Sequence, residues 1–81
     1  MLFGPNVTVY TTQTCGYCQM LKRYLQQKGV RYVEKDVSRD TAAAAEMVAK
    51  SRQNGVPVTI INGRAVVGFN KNAINRLLGI K

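Results

Sequence analysis

Cys15 and Cys18 are the only cysteines of this 81-residue chain, and they stand where a strand pattern gives way to a helical one. Val7-Thr8-Val9-Tyr10 ahead of them alternates as a strand does, and Met20 to Lys28 behind them reads as a helix. Residues three apart in a regular helix have Cβ atoms about 5–6 Å from each other. A relaxed disulfide wants about 3.5–4.5 Å. The pair therefore closes comfortably only at a helix start, with Cys15 partly outside the first turn. That position also turns Cys15 toward unpaired N–H groups and the positive end of the helix dipole, both of which favour a thiolate.

Two other uses of a Cys-x-x-Cys pair compete with redox chemistry. A structural zinc site needs about four nitrogen or sulfur ligands. With two thiols and no histidine, one chain cannot close such a site, although two chains sharing a metal could. A purely stabilising disulfide across so small a loop would constrain the unfolded chain little. The absence of a histidine after Cys18 also excludes a haem attachment motif. The redox reading assigns Cys15 as the outer nucleophile and Cys18, one turn in, as the resolving thiol. Attack by Cys18 on a mixed disulfide at Cys15 releases the reduced substrate and leaves a Cys15–Cys18 disulfide. The nearest acid in sequence is Glu34, so the surroundings of the pair read as positive.

The rest of the chain supplies a frame for that junction. Thr14 is the expected cap of the first helix and Gly29 its stop. Residues Val30 to Val37 read as a second strand with neither face cleanly apolar, and Ser38 or Asp40 opens a second helix that Asn54-Gly55 ends. Pro57 to Ile61, Asn62-Gly63 and Arg64 to Val67 form a hairpin signal, since Asn-Gly between apolar runs favours a type I′ turn. Asn70 caps a last helix, with Ala73, Ile74, Leu77 and Leu78 on its inner face and Gly79 at its end. The expected order is β-α-β-α-β-β-α in one α/β domain spanning residues 1–81. The crossover helix makes the first two strands parallel, and the hairpin adds an antiparallel pair.

Charge and hydropathy narrow the partners. The net charge is +8, from twelve basic and four acidic residues. No acid precedes Glu34, and six basic residues but no acid follow Met47. The favoured reading is a solvated surface, with acidic protein partners the next. No nucleic-acid motif accompanies the charge, so nucleic acid is not an expected partner. No apolar run approaches a membrane span. The lead Met1-Leu2-Phe3-Gly4-Pro5 is too short for a signal peptide and lacks a basic start. A cytoplasmic location is expected, where a close cysteine pair is more often catalytic than structural.

Thr14-Cys15-Gly16-Tyr17-Cys18, Gly55-Val56-Pro57 and Val67-Gly68-Phe69 together resemble glutaredoxins. The likeness spans essentially the whole chain and is greatest toward the short glutaredoxin-like proteins of bacteria and archaea that border the NrdH-redoxins. The resemblance implies a thioredoxin-like fold, a four-stranded mixed sheet flanked by three helices. It further implies a cis Val56–Pro57 bond facing the cysteines, with Tyr17, Val56, Pro57 and Gly68 forming the substrate-binding surface.

It implies a dithiol–disulfide oxidoreductase, an electron carrier without a tightly bound cofactor. Its substrates are protein disulfides, ribonucleotide reductase among the candidate clients. Either glutathione or thioredoxin reductase supplies the electrons. Glutathione-using relatives often carry a lysine where Thr12 stands, Thr-Val-Pro where Gly55-Val56-Pro57 stands, and Gly-Gly-x-Asp where Val67-Gly68-Phe69-Asn70 stands. The charges that hold glutathione's two ends are thus absent at Thr12 and Asn70, although Lys50 or Arg52 could meet a carboxylate. NrdH-redoxins tend to carry Trp-Ser-Gly-Phe, of which only Gly68-Phe69 is present. A buried acid typical of thioredoxins is replaced by Val9. A second function that the resemblance allows is a dimeric carrier of a [2Fe–2S] cluster with glutathione, since Gly16 stands where many relatives have proline.

Overall fold

The computed structural model describes residues 6–80, so the Met1–Pro5 lead lies outside the described residues. The elements are β1 (Val7–Thr11), α1 (Gly16–Gln27), β2 (Val33–Asp36), α2 (Thr41–Ser51), β3 (Val58–Ile61), β4 (Arg64–Val67) and α3 (Lys71–Leu78). They form one four-stranded sheet in the order β2-β1-β3-β4. β1 runs parallel to β2 and antiparallel to β3, and β3 is antiparallel to β4. This is the expected mixed sheet in the expected order.

Strand alternation divides the core into two layers, because successive side chains point to opposite faces. Val7 and Val9 of β1, Ile61 of β3 and Val66 of β4 pack with Leu21 and Leu25 of α1 and Ile74 of α3. Tyr10 of β1 and Val58 and Ile60 of β3 pack with Ala43 and Met47 of α2 on the other face. α1 and α3 thus share one face of the sheet, and α2 covers the other.

The local turn chemistry follows the sequence closely in places. Asn62 and Gly63 adopt φ values of 51° and 87°, the two positive dihedrals that a type I′ hairpin demands. Asp40 and Asn70 cap α2 and α3, each side chain accepting from the backbone N–H three residues on. Gly29 follows α1 with φ 69°, and Gly79 closes α3 in the left-handed region.

Four boundaries differ from expectation. α1 begins at Gly16 with Cys15 as its cap, one residue later than a Thr14 cap would start it. The Cys15 sulfur itself accepts from the Cys18 N–H at 3.1 Å, so the hydroxyl one residue earlier has no cap to make. β2 covers only Val33–Asp36, because this edge strand pairs with β1 alone over Thr8 to Thr11. Val30 and Tyr32 pack against the α1–α3 layer instead. α2 stops at Ser51, with Arg52 left-handed at φ 61°, before Asn54-Gly55 is reached. Pro57 lies just ahead of β3, whose ladder starts at Val58.

Candidate active site

The sheet register brings three separated segments to one end of the molecule. Tyr10 of β1 pairs with Val58 of β3, and Val58 pairs with Val67 of β4. The chain leaving β1 therefore enters the Cys15 loop at the same end where Pro57 leads into β3 and Gly68 follows β4. The cis Val56–Pro57 peptide implied by the resemblance is present. Pro57 is buried, and its carbonyl accepts from the Gly68 N–H at 2.8 Å, tying the two loops together. Gly68 has φ 80°, and open space surrounds the place where a Cβ would sit. Its backbone conformation, and not crowding, calls for glycine there.

The two cysteines occupy different environments. Cys15 is the half-exposed N-cap residue, in an extended conformation at φ −94° and ψ 110°. Cys18 is 0% exposed and lies on the inner ridge of α1 with Leu21 and Leu25. They are joined as a disulfide, with Cα atoms 5.2 Å apart. The expectation that Cys15 lies outside the helix and Cys18 one turn in is met. Tyr17 stands next to them, 65% exposed, and Val56 is half-buried against the α2 layer.

Acid-free surroundings hold in sequence but not in space. Parallel pairing sets Glu34 beside Val9 and Asp36 beside Thr11, so β2 brings two carboxylates alongside the strand that feeds the cysteine loop. A polar cleft of about 390 Å³ is lined by Thr12, Gln13, Gln19, Lys22, Glu34 and Asp36, with Thr11. Glu34 accepts from Lys22 Nζ and from Thr11 Oγ1, each at 2.8 Å. The Lys22 ammonium is the main reason its carboxyl lies below the usual carboxylate range. The Ser38 side chain, donating to Asp36, likewise holds that carboxyl down. No motif announces this cleft; only the strand pairing assembles it.

A second polar group sits on the α2 face. Tyr10 donates its buried hydroxyl to Glu46, which also accepts from Lys35 Nζ at 2.7 Å. Burial, then Glu46, pushes the Tyr10 phenol far up. Lys35, then Tyr10, holds the Glu46 carboxyl at about 2. Among the described residues, no three His, Cys, Asp or Glu side chains gather as metal ligands, and no helix is long and apolar enough to cross a membrane.

A family model described as Glutaredoxin matches residues 7–66. An uncharacterized glutaredoxin-like 8.6 kDa protein in a rubredoxin operon of Clostridium pasteurianum is 40% identical over 72 residues, 89% of this chain and 96% of that one. The glutaredoxin of Methanosarcina mazei has a TM-score of 0.85 at 30% identity, covering 98% of this chain and 85% of that one. NrdH-redoxin from Escherichia coli, a glutaredoxin-like protein with a thioredoxin-like activity profile, has a TM-score of 0.78 at 30% identity. That match covers 89% of this chain and 93% of the other.

Proposed function

Because this chain belongs to the glutaredoxin family and is a thiol–disulfide oxidoreductase, we propose that it reduces protein disulfides with Cys15 as nucleophile and Cys18 as resolving thiol. The observation that carries the assignment is the contrast in access: Cys15 is half-exposed at the cap, and Cys18 is fully buried one turn in. Only Cys15 can meet a sulfur from outside first. Its sulfur already accepts the Cys18 N–H, a donor that stabilises a thiolate at the same place.

The reaction then runs in two exchanges. The Cys15 thiolate attacks one sulfur of the substrate disulfide, forms a mixed disulfide and expels the other sulfur as a thiolate. The Cys18 thiolate attacks the Cys15 sulfur and expels the second substrate thiolate, leaving the Cys15–Cys18 disulfide. Solvent supplies the two protons that the departing thiolates take up. Two electrons have passed to the substrate, and two must return from a reductant. Val56 backbone groups, Pro57 and Gly68 form the ledge on which the substrate strand lies, with Tyr17 over its exposed side.

The reductant is a thioredoxin-reductase-type flavoprotein in preference to glutathione, and the setting is cytoplasmic. Thr12 offers no positive charge, and the Asn70 side chain is engaged as the α3 cap. The likeness to NrdH-redoxin supports the same choice.

A coupled NADPH assay on insulin disulfides tests both parts. Turnover is expected with thioredoxin reductase and to be much slower with glutathione plus glutathione reductase. Cys15→Ser is expected to abolish turnover while keeping the fold, because serine is itself a good N-cap residue. Cys18→Ser is expected to accumulate a mixed disulfide at Cys15, visible by mass spectrometry. Retained turnover in Cys15→Ser would sink the assignment.

A further inference from the structure

The excess positive charge has no role in the exchange chemistry, and part of it is gathered at one place. Between α1 and α3 lies a groove of about 160 Å³, lined by Met20, Arg23, Tyr24, Gln27, Phe69 and Lys71. Its floor is aromatic: the Tyr24 and Phe69 rings meet edge to face at 5.9 Å. Lys71 Nζ lies 5.2 Å from the Tyr24 centroid and 5.6 Å from that of Phe69, and Lys28 Nζ lies 5.7 Å from Tyr24. Among the described residues, the salt bridges are Lys22–Glu34 and Lys35–Glu46, so Arg23, Lys28 and Lys71 have no carboxylate partner there. Met20 is 48% exposed, a large apolar side chain at the groove's near end.

The groove is continuous with the reacting end of the molecule. Tyr17, Met20 and Tyr24 follow one another along a single stripe of α1, and Phe69 follows Gly68 directly. From Cys15 to Tyr24 is nine residues of helix, about 13–14 Å at 1.5 Å per residue. An extended strand covers that distance in about four residues at 3.3 Å each.

Resting on the function proposed above, we propose that this groove docks an acidic segment of the disulfide-bearing client protein. The segment carries its carboxylates about four residues from the reacting cysteine and seats an apolar side chain against Met20 and Phe69. Charge selects the segment: the groove is lined by two cations, Arg23 and Lys71, with Lys28 beside Tyr24 and no acid, so a basic client segment would be repelled. The aromatic floor gives the apolar neighbour a surface to cover.

Peptide disulfides provide the test. One carries two glutamates four and five residues from the half-cystine, and its twin carries glutamines there. Wild-type protein is expected to reduce the glutamate peptide about tenfold faster in kcat/KM at low salt, with the advantage fading near ~1 M salt as screening shortens to about 3 Å. The Arg23→Gln/Lys71→Gln variant is expected to bring the two rates together. Arg64→Gln, which removes a charge at the hairpin end of the sheet, is expected to keep the advantage. Equal rates in the wild type, or an advantage that survives the double substitution, overturn the proposal. A serine-for-cysteine version of the glutamate peptide separates docking from chemistry. Its titration is expected to shift the amide resonances of Met20, Tyr24 and Phe69. Shifts there without any disulfide reduction refute the exchange reaction and uphold the docking site. Reduction without those shifts does the reverse.

Discussion

The two flanks of α1 use similar residues to opposite ends. On the flank toward β2, Lys22 is neutralised by Glu34, and the neighbouring lining is polar, with Gln19, Gln26, Tyr32 and Arg23, the last lining the other flank as well. On the flank toward α3, Lys28 and Lys71 stand over aromatic rings, and among the described residues no acid answers them. The same helix therefore has one side where a lysine is paired with an acid and one where the cations are left open to a partner, with Arg23 at the boundary. Between them runs the buried ridge of Cys18, Leu21 and Leu25, which fixes both flanks to the sheet. Charge on a thiol–disulfide oxidoreductase of this size is therefore not spread evenly over the surface of its first helix. Half of the helix surface spends its cation internally, and the other half keeps it for the outside.

Breaking the ridge should degrade both flanks together. Leu25 is fully buried in the α1–α3 layer, nearly three turns from Cys15. Leu25→Ala is expected to cost about 2–4 kcal/mol, the range for a buried leucine that leaves a cavity. Its denaturant midpoint should fall without a large change in slope. Because Cys15 and Cys18 sit at the other end of α1, disulfide reduction well below the unfolding midpoint should persist. A loss of activity without loss of stability would contradict the separation of ridge from reacting end.

A smaller perturbation acts on the α3 flank alone. Asn70 caps α3 by accepting from the Ala73 N–H at 3.1 Å, and Lys71 is the first residue of that helix. Asn70→Ala is expected to cost about 1 kcal/mol in thermal or chemical unfolding. Fraying of the first turn would let Lys71 drift from Tyr24 and Phe69 while keeping its charge. The preference for a glutamate peptide should therefore fall only partway, less than on removing the cation. An unchanged preference would mean that the position of Lys71 over the rings is immaterial.

What the sequence discloses depends on how far its interactions reach. The hairpin at Asn62-Gly63, the cap at Asn70 and the choice of Ser38 or Asp40 for α2 are legible because each is decided within a few residues. The redox pair was readable for the same reason, since Cys15 to Cys18 spans one helical turn. Hydroxyl preference alone points to Thr14 as the cap of α1, whereas the cysteine sulfur one residue on takes that bond. Residue pattern alone makes β2 too long, because an edge strand's length is set by its partner, here Thr8 to Thr11 of β1. The acids beside the cysteine loop were invisible because parallel pairing, and not sequence proximity, puts Asp36 next to Thr11. The aromatic groove joins Tyr24 to residues from the far end of the chain, a junction that no local pattern reports.

Glu34 allows the two flanks to be made alike. Its carboxylate accepts from Lys22 and Thr11, and chiefly through Lys22 its pKa lies below the ordinary glutamate value of 4.5. A depressed carboxyl contributes stability that is fully present above that value and is lost as pH falls through the folded pKa. Glu34→Gln should therefore be slightly less stable than wild type at neutral pH. The gap should close as urea titrations are repeated at pH values progressively below 4.5. A gap that widens on acidification would reverse the sign assigned to the pair. The same variant leaves Lys22 without its salt-bridge partner, so the β2 flank gains a second uncompensated cation beside Arg23, like its counterpart. If charge alone governed docking, the cysteine-free glutamate peptide would now shift resonances at Gln19, Gln26 and Tyr32. We expect those residues to stay silent and Met20, Tyr24 and Phe69 to keep responding. The lining beside Lys22 consists of Gln19, Gln26, Tyr32 and Arg23, and it lacks the edge-to-face ring pair that an apolar neighbour of the acidic residues would cover.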